Sequence, residues 1–208
     1  DINYITNQNN VLEADREKST KHPRCLYDSS LYDFLNTNHN EVLGRIVNAF
    51  HGVDQTTTNE AWESEIVLLQ SCLSLWKDEK AHIAFEYDIP RLGKRIDVVL
   101  MLRGIIFCLE FKVGKGFALQ ADVEQVLDYA LDLKNFHYYS KDRVIVPILI
   151  PTTYNKAPNL LLHNDGIYNP LVTGAKHLQP LLERVIEKEK ALPDKVDWAK
   201  DWLISPYK

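Results

Sequence analysis

Three observations predict an α/β fold built on a mixed sheet. From about Glu60 to Trp76 the apolar residues Trp62, Ile66, Leu69, Leu73 and Trp76 recur at helical spacing. After residue 81 that period gives way to three short, β-branched apolar segments with turn signals between them. A second helical stretch and then a continuous apolar run follow. Helix, three strands, helix, strand is the order of a layered α/β domain.

Taken in order, residues 1–24 are polar, rich in Asn, Lys and Glu, and read as a weakly ordered N-terminal arm. From Ser29 to Phe50, Leu31, Phe34, Leu35, Val42, Leu43, Ile46, Val47 and Phe50 fit two short helices. His51 to Asn59 reads as a polar loop that ends in a Thr/Asn capping signal ahead of the Glu60–Trp76 helix. His82–Ile89, Arg95–Leu102 and Ile105–Val113 are the three strands. Arg91-Leu92-Gly93-Lys94 and Arg103-Gly104 are tight turns, so an antiparallel meander is expected. Ala118–Asn135 is the next helix, with Leu119, Val123, Val126, Leu127 and Ala130 facing inward. Val144–Ile150 is apolar throughout, as suits a buried central strand. Residues 155–175 are loop-rich, and a helix over Lys176–Ala191 is expected to be ended by Pro193. Trp198 and Trp202 mark a short helix that docks on an apolar surface. The domain is therefore placed at residues 25–192, with 193–208 as a helical tail.

Composition narrows the class. With 45% hydrophobic and 25% charged residues the chain reads as globular, and no stretch approaches the roughly 18 apolar residues of a membrane span. The start at Asp1 without Met reads as a trimmed or fragmentary end, and it lacks a signal pattern. Cys25, Cys72 and Cys108 are odd in number and widely spaced, which favours a reducing compartment, taken as the cytoplasm, over a disulfide scaffold or a structural zinc site. The histidines show no HExxH spacing. A net charge of −5 counts against a protein that coats duplex DNA. Yet Arg91, Lys94, Arg95, Arg103, Lys112 and Lys115 fall within 25 residues and allow a local basic groove.

The chemistry centres on Asp97, Glu110 and Lys112. Asp97 is the one acid in the apolar strand Arg95–Leu102, and the next strand ends Leu109-Glu110-Phe111-Lys112. Strand side chains alternate, so Glu110 and Lys112 share a face. If Arg103-Gly104 is a two-residue turn, Leu102 faces Ile105, Asp97 faces Glu110 and Arg95 faces Lys112. Facing carboxylates repel. A divalent cation between them, Mg²⁺ or Mn²⁺, removes that cost and would polarise a scissile phosphate. Lys112 could then stabilise the charge that develops on the phosphate, and the main-chain carbonyl of Phe111 is a candidate further ligand. The plain alternative is an edge-strand acid beside a solvated strand end.

Asp97…Glu110-Phe111-Lys112, on the second and third strands after a helix, resembles the PD-(D/E)xK (restriction-endonuclease-like) nuclease superfamily, whose core is αβββαβ. Phe85-Glu86-Tyr87-Asp88-Ile89-Pro90-Arg91-Leu92-Gly93-Lys94-Arg95-Ile96-Asp97 and Leu109-Glu110-Phe111-Lys112-Val113-Gly114 are similar to the nuclease-like domain that precedes a superfamily 1 helicase/ATPase in bacterial DUF2075-type proteins. The resemblance covers roughly Cys25 to Lys208. It implies a metal-dependent nuclease acting on nucleic acid, with DNA the expected substrate, coupled to a helicase domain in cis. Val113-Gly114-Lys115-Gly116 lacks Walker A spacing, so an ATPase part would lie beyond Lys208. Oligomeric state is left open, a homodimer included.

The resemblance adds residues on two helices. Nucleases of this type often carry a Glu on the first helix, and Glu65 fits it better than Glu63 or Glu60, the other reading being a solvated helix charge. The RecB-like branch carries Q-x-x-x-Y on the helix after the third strand, which Gln125 and Tyr129 match, with Asp122 and Asp132 extending the same polar face. Arg95, Lys115 and Tyr129 are the candidate nucleic-acid contacts, Lys115 being otherwise an ordinary loop lysine. Glu86 and Asp88 have an uncertain register because Pro90 interrupts the pairing. His137 reads as structural, at a helix end where the dipole favours a cation, and Cys108 as a buried small apolar group. The competing function is a non-catalytic nucleic-acid-binding or scaffold module on the same fold.

Overall fold

The computed structural model describes residues 24–51, 55–161 and 165–207. The arm expected over residues 1–24 lies outside this range, apart from Arg24. Arg24 is tied down: its carbonyl accepts from the Asp88 N–H, and its guanidinium donates to the Ser205 carbonyl and lies over the Tyr207 ring.

The elements are β1 (Tyr27–Ser30), α1 (Leu31–Asn36), α2 (His39–Ala49), α3 (Gln55–Cys72), β2 (His82–Ile89), β3 (Lys94–Leu102), β4 (Ile105–Lys112), α4 (Gln120–Phe136), β5 (Ile145–Pro151), β6 (Leu171–Val172), α5 (Leu178–Lys188) and α6 (Ala199–Leu203). They form an α/β fold around a six-stranded mixed sheet whose spatial order is the chain order, β1 to β6. β1 to β4 pair antiparallel, and β4–β5 and β5–β6 pair parallel. The parallel step from β4 to β5 requires a crossover, and α4 supplies it.

Helices cover both faces. Val98, Leu100, Phe107, Leu109 and Ile148 pack with Ile66 and Leu69 of α3, Leu182 of α5 and the apolar residues of α1 and α2. Val99, Met101, Cys108 and Leu149 pack with Val126, Ala130 and Leu133 of α4 and Trp202 of α6. Cys108 is fully buried among these apolar side chains. Trp202 is fully buried too, its ring 4.8 Å from Tyr87 and 4.6 Å from His137. Among the described residues no helix is long and apolar enough to cross a membrane.

Several boundaries differ from the sequence reading. β1 and β6, four and two residues long, were not expected, because Tyr27-Asp28-Ser29-Ser30 and Leu171-Val172 are too short to display a period. Ser30 is not inside a helix but caps α1, its hydroxyl accepting from the Asp33 N–H at 3.1 Å. The loop expected up to Asn59 is helical from Gln55. Trp76 lies in a separate 3₁₀ turn, Ser74–Trp76. Pro193 does not end α5. The helix stops at Lys188, where Lys190 turns left-handed (φ 49°) and the Ala191 N–H reaches back to the Ile186 carbonyl at 3.0 Å. His137 is not a cation at its helix end. Burial pushes its pKa down to about 3, so it stays neutral, close to the Tyr87 and Ser140 hydroxyls at 3.1 and 2.7 Å.

Candidate active site

The site begins with a backbone irregularity. In β2, Ile83 and Phe85 pack on the α3 face and Ala84 on the α4 face, but Tyr87 and Ile89 then also pack on the α4 face. A regular strand cannot do this, because its side chains alternate. The reversal falls on Glu86, whose φ is +55°, left-handed for a residue with a side chain. β3 mirrors it: Val98 and Leu100 face α3, Val99 and Met101 face α4, and so does Ile96. The β2–β3 ladder pairs Phe85 with Val98 and Tyr87 with Ile96, leaving Glu86 and Asp97 between them as a gap. Holding Glu86 in that conformation costs about 1–2 kcal/mol, and such strain persists only where the surroundings over-determine it.

The consequence is that β3 parts from β4. The hairpin turn is as expected, with Arg103 and Gly104 both at positive φ (51° and 74°) and Leu102 opposite Ile105. Pairing then runs to Val98–Leu109 and stops. Where the count from the turn puts Asp97 opposite Glu110, the main-chain ladder is replaced by a side chain: Asp97 Oδ2 accepts from the Phe111 N–H at 2.8 Å. The expected facing of Arg95 and Lys112 is therefore corrected. Arg95 pairs with Asp88 of β2, and Lys112 with Pro151 of β5.

Splaying opens a cleft of about 590 Å³, lined by Glu86, Asp97 and Glu110, by Gln125 and Tyr129 of α4, and by Lys94, Arg95 and Asp88. Glu110 projects to the α4 face with Cys108, by strand alternation. Lys112 Nζ lies 3.6 Å from Glu110 Oε1 and 3.3 Å from Asp122 Oδ1 on the first turn of α4. Gln125 Nε2 donates to the Tyr129 hydroxyl. Trp62 Nε1 donates to Glu86 Oε1 at 3.0 Å, so α3 reaches the cleft as well. The Lys112 carbonyl accepts from the Thr152 N–H on the β5 side, so the Phe111 carbonyl, one residue earlier, points to the opened β3 side.

Burial and mutual repulsion shape the electrostatics. Asp97 is held well above the usual carboxylate range by burial, then by Glu110, Glu65 and Glu86, against the opposing Phe111 N–H. Glu65 is raised in the same way by burial, then by Glu86 and Glu110. Glu110 is pushed up to about 7, chiefly by burial, with Lys112 pulling it down and Glu86 pushing it up. Burial also raises Glu86, against the Trp62 hydrogen bond and Arg95. Burial acts to lower Lys112, but Glu110 and Asp122 outweigh it and hold the ammonium up. Four acids thus converge with one ammonium beside them.

Two of these carboxylates are incompletely satisfied. Glu65 Oε2 and Glu110 Oε2 are buried without a hydrogen-bond partner, and both residues are 5% exposed. Buried polar atoms without partners are costly and call for a reason. Carboxylate oxygens of this kind are the donors that a divalent cation takes. As they stand, the acids of the described residues are not drawn together as a ready coordination group.

The structure brings together Asp97, Glu110, Lys112, Glu65, Gln125 and Tyr129, and sets Arg95 on the cleft. Lys115 is exposed on the following loop and does not line the cleft. Glu60 and Glu63 are exposed, Glu63 lying 3.8 Å from His39. Asp132, on the same helix as Gln125, turns instead to Arg91 at 3.6 Å. Glu86 is the site residue that sequence reasoning set aside. Counting through the Pro90–Gly93 turn would have put it opposite Asp97, although the reversal that aims it at the cleft leaves no trace in residue types. No protein-family model, curated protein or solved structure matches this chain.

Proposed function

We propose that this chain is a PD-(D/E)xK-type nuclease domain that hydrolyses nucleic-acid phosphodiester bonds with a divalent metal, Mg²⁺ or Mn²⁺. DNA is the expected substrate, and a helicase or ATPase in the same polypeptide the expected partner. One observation carries the reading: where β3 leaves β4, Asp97 and Glu110 open on one cleft beside Lys112, with buried carboxylate oxygens of Glu65 and Glu110 left without partners.

In this reading Asp97, Glu110 and the Phe111 carbonyl would hold the metal, and Glu65 would complete the acidic side. When bound, the cation supplies Lewis-acid polarisation of a phosphate oxygen and relieves the repulsion among the carboxylates. The Phe111 N–H keeps Asp97 in one rotamer and so presents its other oxygen. Lys112, held between Glu110 and Asp122, keeps its proton and offers an ammonium to the phosphate as charge builds there. Gln125, restrained by its bond to Tyr129, offers its amide to a water or a phosphate oxygen. Arg95 and Lys94 lie on the path of the nucleic-acid backbone into the cleft.

A second reading, a non-catalytic nucleic-acid-binding or scaffold module, is favoured by the acids not being drawn into a ready ligand set. One experiment divides the two. Plasmid, single-stranded DNA and RNA are incubated with the protein in Mg²⁺, Mn²⁺ or EDTA, beside Asp97→Ala and Lys112→Ala. Cleavage that needs metal and is lost in both variants is the expected result. Cleavage that survives both removes the site assignment, and binding without cleavage favours the scaffold.

A further inference from the structure

We infer that the loop between β4 and α4 is a stacking platform for the bases of a single nucleic-acid strand, with Phe117 as the contact; this rests on the nuclease reading above. Phe117 is 58% exposed. Leu119 (56%), expected to face inward on the helix, and Val113 (39%), expected to end the strand, are exposed on the same loop, because β4 stops at Lys112 and α4 starts at Gln120. One exposed apolar side chain is ordinary, but three on the one short connection that leaves Lys112 are a concentration that calls for a partner.

The loop is pinned. The Gly114 N–H donates to Thr152 Oγ1 at 2.8 Å, the Lys115 N–H to the Lys112 carbonyl at 3.2 Å, and the Thr153 N–H to the Lys115 carbonyl at 2.9 Å. Gly116 packs so closely that an added Cβ would stand 3.1 Å from Thr153 Oγ1. A preorganised contact loses little conformational entropy when it binds. Both ends of the loop also meet Lys112: it departs from that residue, and Asp122, three residues after Leu119, returns to Lys112 Nζ at 3.3 Å. The connection that carries Phe117 thus begins and ends at the ammonium assigned to the phosphate, and Lys115 precedes Phe117 by two residues in the chain.

Charge selects the occupant. The chain carries a net −5, and Glu65, Glu86, Asp97 and Glu110 gather at the cleft, so cations alone give a nucleic acid little attraction. Stacking on an aromatic ring needs no net charge and tolerates any base. It does need bases with a free face, which a single strand or an unpaired end supplies. Lys112 and Lys115 lie on the same stretch of chain just before Phe117 and complement the backbone of such a strand.

The test is fluorescence anisotropy with Mg²⁺ in an Asp97→Asn background, which removes cleavage and one repelling charge. The probes are an oligothymidine strand, an abasic strand of equal length and a blunt duplex. Phe117→Ala is expected to weaken oligothymidine binding about tenfold, the loss of roughly one stacked base. Phe117→Trp is expected to retain it, and the abasic strand and the duplex to bind all three proteins alike. Oligothymidine binding that is unchanged in Phe117→Ala, or an equal loss on the abasic strand, overturns the platform. So does a change in gel-filtration size with strand binding intact, which would make the loop a protein contact. Wild-type cleavage is followed in parallel. Cleavage without a Phe117 effect removes the platform alone, whereas neither binding nor cleavage removes the nuclease reading as well.

Discussion

Replacing Glu110 with Gln should stabilise the metal-free protein at alkaline pH and leave it unchanged in acid. Glu110 is raised from 4.5 to about 7, mainly by burial. A raised carboxyl stabilises the fold while protonated, and that contribution is lost as pH climbs from the unfolded value through the folded one. A shift of this size corresponds to about 3 kcal/mol of stability lost between roughly pH 4.5 and 7.5. Gln mimics the protonated acid, so Glu110→Gln should match wild type at pH 4.5 and exceed it by about 3 kcal/mol, or about 10 °C in Tm, at pH 8. The comparison must be made at each pH, because His137 pulls the other way: its pKa is lowered to about 3, so its contribution is complete above about 6.5 and lost as pH falls. The difference between the two proteins cancels that term. The assay is thermal unfolding in EDTA from pH 4.5 to 8.5, then at pH 8 with Mg²⁺. Mg²⁺ should raise the wild type, and the variant much less, since a ligand stabilises only the state that binds it. Parallel pH curves for the two proteins would refute the argument that Glu110 is a buried, repelled carboxylate.

Other sites offer independent tests. Trp202→Ala should cost about 3–5 kcal/mol in urea unfolding, because it empties a buried site against Tyr87 and His137 and leaves Ser140 Oγ without the indole N–H at 2.9 Å; a loss below about 1 kcal/mol would show that the C-terminal helix is not part of the core. Gly174→Ala should unfold or strongly destabilise the protein, since its Cβ would collide with the Tyr154 backbone, and near-native stability would mean that this loop shifts freely. His137 should stay neutral in an NMR titration down to about pH 4, and an ordinary imidazole titration near pH 6.5 would show that it is not buried.

The sequence by itself determined the layered α/β order. Periods of 3.6 and 2 separate α3 from β2–β4, and Arg103-Gly104 has the residues a two-residue hairpin demands. That turn also made the count from Leu102–Ile105 possible, and with it the proximity of Asp97, Glu110 and Lys112. Local patterns of this kind are legible because each is set within a few residues. Only the tertiary structure decided the rest. β1 and β6 are strands because a sheet edge accepts them, not because four or two residues prefer that state. The opening of β3 from β4 depends on Glu86 at φ +55°, and the odd-numbered apolar residues Ile83, Phe85, Tyr87 and Ile89 look like one uninterrupted alternation. Glu65 is preferred over Glu60 and Glu63 from its place beside the apolar stripe of α3, but only the packing of α3 on the sheet decides that it is buried while the others stay exposed. Which acids become buried, repelled and unpartnered is a property of how elements far apart in the chain converge, and residue spacing within one element cannot express it.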